Sequence, residues 1–170
     1  MPLAFHNLFS TRKLSYIKNR KPKGPCILCC VARGRTPGEN LTVTEGRNAV
    51  ICVNKFPYNS GHILIFPKRH VTDYRELIGD EETEINRLLR ESLDILDELY
   101  KPSGFNVGYT IGDFAGASIP HLHMHVIPRY PNELGFVDIV GGAKIVVEDP
   151  SETMLRLRDE FNKRARSRGV

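Results

Sequence analysis

Three histidines, His121, His123 and His125, alternate with Leu122, Met124 and Val126 in one short stretch. In an extended strand successive side chains point to opposite faces, so the spacing predicts three imidazoles on one face and three apolar side chains on the other. Each imidazole carries polar nitrogens that need partners when buried, which makes such a row poor filler for an apolar core. Two chemistries compete for it. Imidazole is a common zinc ligand, and a neutral imidazole near pH 7 is a usable nucleophile toward phosphorus. Half of the six histidines in the chain fall in this window, which argues against a chance surface ladder.

The segment just upstream, Gly112-Asp-Phe-Ala-Gly116-Ala-Ser118-Ile-Pro120, tips the balance toward phosphate. It offers small residues, backbone N–H groups and one hydroxyl, the donors that suit phosphate oxygens. It is not a Walker loop, because the Gly-Lys-Ser/Thr ending is missing. The four cysteines are Cys26, Cys29, Cys30 and Cys52, three of them within five residues and so badly spaced for disulfides. In a cytosolic chain Cys26-Ile-Leu-Cys29 reads as half of a metal site or as a redox pair, and zinc would need two further ligands. Cys30 and Cys52 read as small buried apolar residues.

The rest of the chain supplies elements to hold these groups. Residues 41–53 predict two short strands around a Glu45-Gly-Arg-Asn48 turn, followed by a loop over 54–61. His62–Phe66 predicts a strand stopped by Pro67. A long helix is expected from Asp80, as N-cap, to Tyr100, with Glu81, Glu82 and Glu84 at the positive end of its dipole. Its apolar stripe is Ile85, Leu88, Leu89, Leu93, Leu96 and Leu99, and Pro102 and Gly104 end it. Strands follow over Phe105–Ile111 and Leu122–Ile127, the second ended by Pro128, and then a hairpin around Gly141-Gly142. A basic helix is expected over 151–168, where Met154, Leu155, Leu157 and Phe161 define no clean stripe. The fold class is α+β, an antiparallel sheet with one long helix packed on it. The division is a basic extension over 1–24, one domain over 25–150 and a basic C-terminal helix over 151–170.

At 170 residues the chain suits one domain, and no window is apolar enough for a membrane span. The basic N-terminus lacks the apolar run of a signal peptide, so the expected compartment is the cytoplasm. Net charge is +4, unevenly spread. Residues 1–38 hold eight Lys/Arg and no Asp/Glu, 39–150 hold ten against seventeen, and 151–170 hold six against three. Basic ends on an acidic body could touch a polyanion, yet they read first as solvated extensions, so nucleic acid is not the favoured partner.

On these motifs the chain resembles the histidine-triad family of nucleotide-binding hydrolases and transferases. The defining pattern, three His separated by single apolar residues and followed by two more, is met by His121 to Ile127. Asn54-Lys-Phe-Pro57, Gly61-His62-Ile-Leu-Ile-Phe-Pro67, Lys68-Arg69-His70 and Gly116-Ala-Ser118 extend the likeness over residues 26–130. The resemblance implies that His123 attacks the α-phosphate of a nucleotide derivative and forms a nucleotidyl-histidine. It implies that His125 and His62 touch phosphate oxygens or the leaving group, that the Ser118 hydroxyl and N–H groups around Gly116 bind phosphate, and that Asn54 binds the ribose. Thr110 stands where relatives usually carry Asn or Gln, a departure that bears on the leaving-group contact. In the zinc-bearing branch, residues matching Cys26, Cys29, His70 and His121 hold a structural zinc, which leaves His123 as nucleophile. A homodimer is implied, with the long helix and its neighbouring strand near the interface. Among substrates, dinucleoside polyphosphates of the diadenosine tetraphosphate type come first, cleaved by water or by phosphate, on the strength of the Gly-Ala-Ser loop, the Pro-Arg after the triad and residues 135–142. Adenosine phosphoramidate comes second, and an adenylylated nucleic-acid end third. A nucleotide-binding protein with incidental turnover is the reading from a different class, and intact His123, His125 and Ser118 weigh against it.

Overall fold

A strand whose every residue is apolar needs cover on both faces. Ala49-Val-Ile-Cys-Val53 is such a strand, and in the computed structural model of the protein all five residues are buried. The structure describes residues 24–35, 38–131, 133 and 148–169. They belong to a unit formed by 25–131 with 146–170. The second unit, 1–24 with 132–145, lies outside the described residues except for Gly24 and Glu133. The basic N-terminal extension and the hairpin expected around Gly141-Gly142 therefore lie outside them too.

Five strands form one antiparallel sheet: β1 (Thr42–Glu45), β2 (Ala49–Val53), β3 (Ile63–Pro67), β4 (Gly104–Tyr109) and β5 (Met124–Arg129), in the order β1-β2-β3-β5-β4. The helices are α1 (Ile27–Ala32), α2 (Gly79–Tyr100) and α3 (Pro150–Ser167). This is the predicted α+β layout with the long helix on the sheet. None of the described helices is long and apolar enough to cross a membrane.

Strand periodicity sorts the apolar residues into two layers. Ala49, Ile51, Val53, Ile63, Ile65, Met124 and Val126 meet Ile85, Leu88, Ile95 and Leu96 of α2 and Met154, Leu157 and Phe161 of α3. Leu155 points out and is exposed. On the other face Val50, Cys52, Leu64 and Phe66 pack against Leu28 and Val31 of α1. Each fully buried Ile or Leu of these layers contributes about 1.5–3 kcal/mol. Cys52 is a buried apolar residue as expected, and burial pushes its thiol up to about 12, whereas Cys30, expected to be buried too, is only half-buried.

Several expected boundaries move, each for a local reason. The N-cap of α2 is Ile78, not Asp80, because the Glu81 carboxylate accepts the Ile78 N–H (3.1 Å) and also the Arg69 guanidinium. Pro67 is the last residue of β3, as expected, whereas Pro128 lies inside β5 rather than stopping it. The Pro128 carbonyl accepts from Asn59 Nδ2 (2.6 Å) on the side where pairing with β3 has ended at Val126, so its missing N–H forfeits no ladder bond. β4 ends at Tyr109, which pairs with Met124, the first residue of β5. α1 has no sequence signal: six residues are too few for helical periodicity. α3 is locked down through Glu148, whose carboxylate accepts from Tyr100 Oη (2.6 Å), Thr153 Oγ1 (2.7 Å) and Arg156 (2.6 Å).

Candidate functional site

On β3, Ile63 and Ile65 enter the helix-side layer, so alternation sends His62, Leu64 and Phe66 to the opposite face. His125 lies directly across from Leu64 in the β3–β5 pairing and shares that face. The strand expected over Leu122–Ile127 runs instead over Met124–Arg129. Only His125 of the three histidines lies in β5; His121 and His123 belong to the stretch leading into it, where the Leu122 N–H donates to the Val71 carbonyl (2.7 Å) instead of to a strand. The rings still gather as alternation predicts, with His123 and His125 centroids 4.9 Å apart and Met124 and Val126 in the core.

Hydrogen bonds decide which ring nitrogen carries each proton. The Tyr58 N–H donates to His62 Nδ1 (3.1 Å), so the His62 proton is on Nε2, while Asn54 Nδ2 lies about equally far from Nδ1 (3.3 Å) and Nε2 (3.4 Å). His62 Nε2–H then donates to His125 Nδ1 (3.0 Å), which puts the His125 proton on Nε2. His123 Nδ1 lies 2.6 Å from the His121 carbonyl and must donate to it, so its Nε2 carries the lone pair. Burial lowers the pKa of His123, against the raising effect of that carbonyl, and so keeps the ring neutral and nucleophilic. His62, fully buried beside two other imidazoles, is pulled down to about 3.

That shift has a measurable consequence. Unfolded His62 takes up a proton near its ordinary 6.5 and folded His62 only near 3, so between these values the unfolded state binds more protons. Stability is therefore present above pH 6.5 and lost as pH falls toward 3, by at most about 1.4 kcal/mol per pH unit from this group. Urea unfolding of the wild type and of His62→Asn across this range is expected to show a shallower acid loss in the variant. An equal slope in both would contradict a buried, neutral His62.

The second constellation sits beside the first. Cys26, Cys29, His70 and His121 each offer a ligand atom, all within 4.8 Å of one another. Cys26 Sγ and Cys29 Sγ both lie 3.5 Å from His121 Nδ1, and Cys29 Sγ is 3.3 Å from His70 Nδ1. Sulfur and nitrogen bound tetrahedrally to one zinc ion would be about 3.5 Å apart, so the donor set and its dimensions fit that ion. His121 Nε2–H donates to the Pro67 carbonyl (2.9 Å), which leaves Nδ1 as the coordinating nitrogen. Burial lowers the His121 pKa to about 4 and keeps its ligating form. Burial and the adjacent Cys26 sulfur raise the Cys29 pKa, so two thiolates here need a cation between them.

The remaining expected residues are placed as follows. The Asn54 amide holds its own loop, its Oδ1 accepting from the Phe56 N–H (3.1 Å) while Nδ2 faces His62. Thr110 is half-buried, one residue past β4. Gly116, at φ +94°, and the exposed Ser118 lie in the β4–β5 connection, where the Ala115 and Ala117 N–H groups both donate to the Gly112 carbonyl. Sequence reasoning passed over Tyr58, whose ring stacks on His62; its position four residues before a functional His carries no motif signal.

Comparison with known proteins fits this geometry. The sequence model of the HIT domain family matches residues 38–132, more than half of the chain. The chain belongs to the HIT family. Within this HIT domain lie His62, His70 and the whole histidine row, whereas Cys26 and Cys29 precede the matched segment, so the cysteine–histidine cluster ties α1 to the domain. An AP-4-A phosphorylase of Mycobacterium tuberculosis is 33% identical over 124 residues, 72% of this chain and 64% of that protein. The chain thus spans less than two thirds of the length of that relative. An asymmetrical bis(5'-nucleosyl)-tetraphosphatase of Schizosaccharomyces pombe is 32% identical over 88 residues, 52% of this chain and 48% of that protein. A zinc-bound histidine triad family protein from Mycobacterium smegmatis shares the fold, with a TM-score of 0.68 at 22% identity, covering 84% of this chain and 96% of that one.

Proposed function

We propose that this HIT-domain protein is an enzyme that transfers a nucleotidyl group from a dinucleoside polyphosphate, through a covalent intermediate on His123, to water or phosphate. The observation that carries the reading is the 2.6 Å contact of His123 Nδ1 with the His121 carbonyl, which leaves Nε2 as an unprotonated nucleophile. The Nε2 lone pair forms a bond to the α-phosphorus while the bond to the bridging oxygen breaks, and the electron pair leaves on the polyphosphate. The ring stays protonated at Nδ1, and the His121 carbonyl stabilises the positive charge it acquires. His125 Nε2–H donates to the phosphoryl group, Ser118 and the Gly116 N–H bind its oxygens, Asn54 meets the ribose, and Thr110 meets the leaving group. Water or phosphate then attacks phosphorus from the opposite side and frees His123.

The order of hydrogen bonds favours a polyphosphate over adenosine phosphoramidate. A polyphosphate leaves as a stable anion and needs no proton, whereas an amine does. His125, accepting from His62, holds a single proton and serves as a hydrogen-bond donor rather than a strong acid. The names of the mycobacterial and fission-yeast relatives point the same way. A structural zinc on Cys26, Cys29, His70 and His121 completes the proposal and would fix the His121 backbone that orients His123. A homodimer fits the position of β4 at the sheet edge, with Val107 exposed.

Product analysis after incubation with diadenosine tetraphosphate tests the reading. AMP and ATP formed without phosphate mark a hydrolase, and ADP and ATP formed only with phosphate mark a phosphorylase. No turnover under either condition would overturn the dinucleotide reading.

A further inference from the structure

The imidazole pair has a roof. Tyr58 stacks on His62 at 5.1 Å and 27° and on His125 at 6.2 Å and 25°, while the two imidazoles are tilted by 44° to each other. The phenol ring is thus closer to parallel with each of them than they are with one another, and it spans both. Tyr58 as a whole is about half exposed, whereas His62 is fully buried. A core role explains neither the stacking nor the exposure.

The loop that carries Tyr58 is held at several points. The Asn54 N–H donates to the His62 carbonyl (3.0 Å), the His62 N–H to the Asn59 carbonyl (3.2 Å), and Asn59 Nδ2 to the Pro128 carbonyl. Gly61 closes the loop at φ +79°, where a Cβ would come within 3.1 Å of both Leu96 Cδ2 and Pro128 Cγ. The Tyr58 backbone N–H, fixed by this frame, donates to His62 Nδ1. One residue therefore touches the pair twice: by its backbone at the nitrogen that sets the tautomer, and by its ring across both imidazoles.

We propose that Tyr58 is a positioning residue for the reaction, its ring clamping His62 and His125 so that His62 Nε2–H stays directed at His125 Nδ1 and His125 keeps its proton on Nε2. The ring also shields that hydrogen bond from water, which would otherwise compete for His125 Nδ1. The kinetic part of this inference rests on the nucleotidyl-transfer reading; the structural part does not.

The test uses the full chain with Tyr58→Phe, Tyr58→Ala and Tyr58→Leu. All three keep the backbone N–H, Phe keeps the planar ring, and Leu keeps apolar cover without it. Imidazole ¹⁵N NMR is expected to show His125 as the Nε2–H tautomer in the wild type and Tyr58→Phe, and as a mixture in Tyr58→Ala and Tyr58→Leu. With diadenosine tetraphosphate, kcat should fall about tenfold or more in the Ala and Leu variants with KM changed less than about threefold, and Tyr58→Phe should match the wild type. An unaltered His125 tautomer in Tyr58→Ala and Tyr58→Leu overturns the proposal, as does a rise in KM alone. If the wild type turns over no dinucleotide, the substrate reading fails by itself and the NMR comparison still decides the role of Tyr58.

Discussion

Replacing His123 with Ala removes turnover of a dinucleoside polyphosphate by about 10⁴-fold or more, while affinity for AMP stays within a few-fold. The size follows from its role. His123 Nε2 is the nitrogen that the His121 carbonyl leaves unprotonated, whereas the donors of the His62–His125 pair are already protonated at Nε2. No neighbouring imidazole therefore substitutes for it as nucleophile. Binding persists because the other phosphate and ribose donors, His125, Ser118 and Asn54 among them, do not depend on the His123 ring. Steady-state assays and calorimetric titration with AMP make the comparison. Unchanged turnover would remove His123 from the chemistry, and loss of binding together with turnover would make it a structural residue.

Replacing Cys29 with Ala empties the cysteine–histidine cluster and lowers the melting temperature by about 10 °C or more, on the scale of 2–4 °C per kcal/mol for a chain of this size. Cys29 Sγ contacts both His70 and His121, so its loss leaves three of the four ligands and a single thiolate. The effect reaches the first site, since a displaced His121 no longer presents its carbonyl to His123. Turnover should fall with the metal content. Elemental analysis and calorimetry check this: a wild type carrying one equivalent of zinc and a variant carrying none is the expected result. Equal melting temperatures would contradict a structural metal.

The parts of the fold that were legible in the sequence are those with strong periodicity. The α2 stripe at Ile85, Leu88 and Leu96 and the apolar run of β3 gave elements within a residue or two of their observed ends. Pro128 misleads where Pro67 does not, because a missing N–H breaks a strand only where a partner waits for it, and at Pro128 none does. The His row was read correctly as a face and incorrectly as one continuous strand, since alternation is visible in sequence and a tertiary contact such as Leu122 to Val71 is not. Helix α1, with Cys26 as its N-cap and Cys29 inside it, has no sequence signal because six residues are too few for periodicity. Tyr58 acts through where its ring falls in space, which no spacing rule encodes.

The covalent step on His123 is tested by quenching the protein in alkali during turnover of diadenosine tetraphosphate and measuring the mass of its peptides. One nucleoside-monophosphate increment is expected on the peptide containing His123, and none in His123→Ala. Product formation with no such adduct at any time of quenching, or an adduct on another residue, would contradict it.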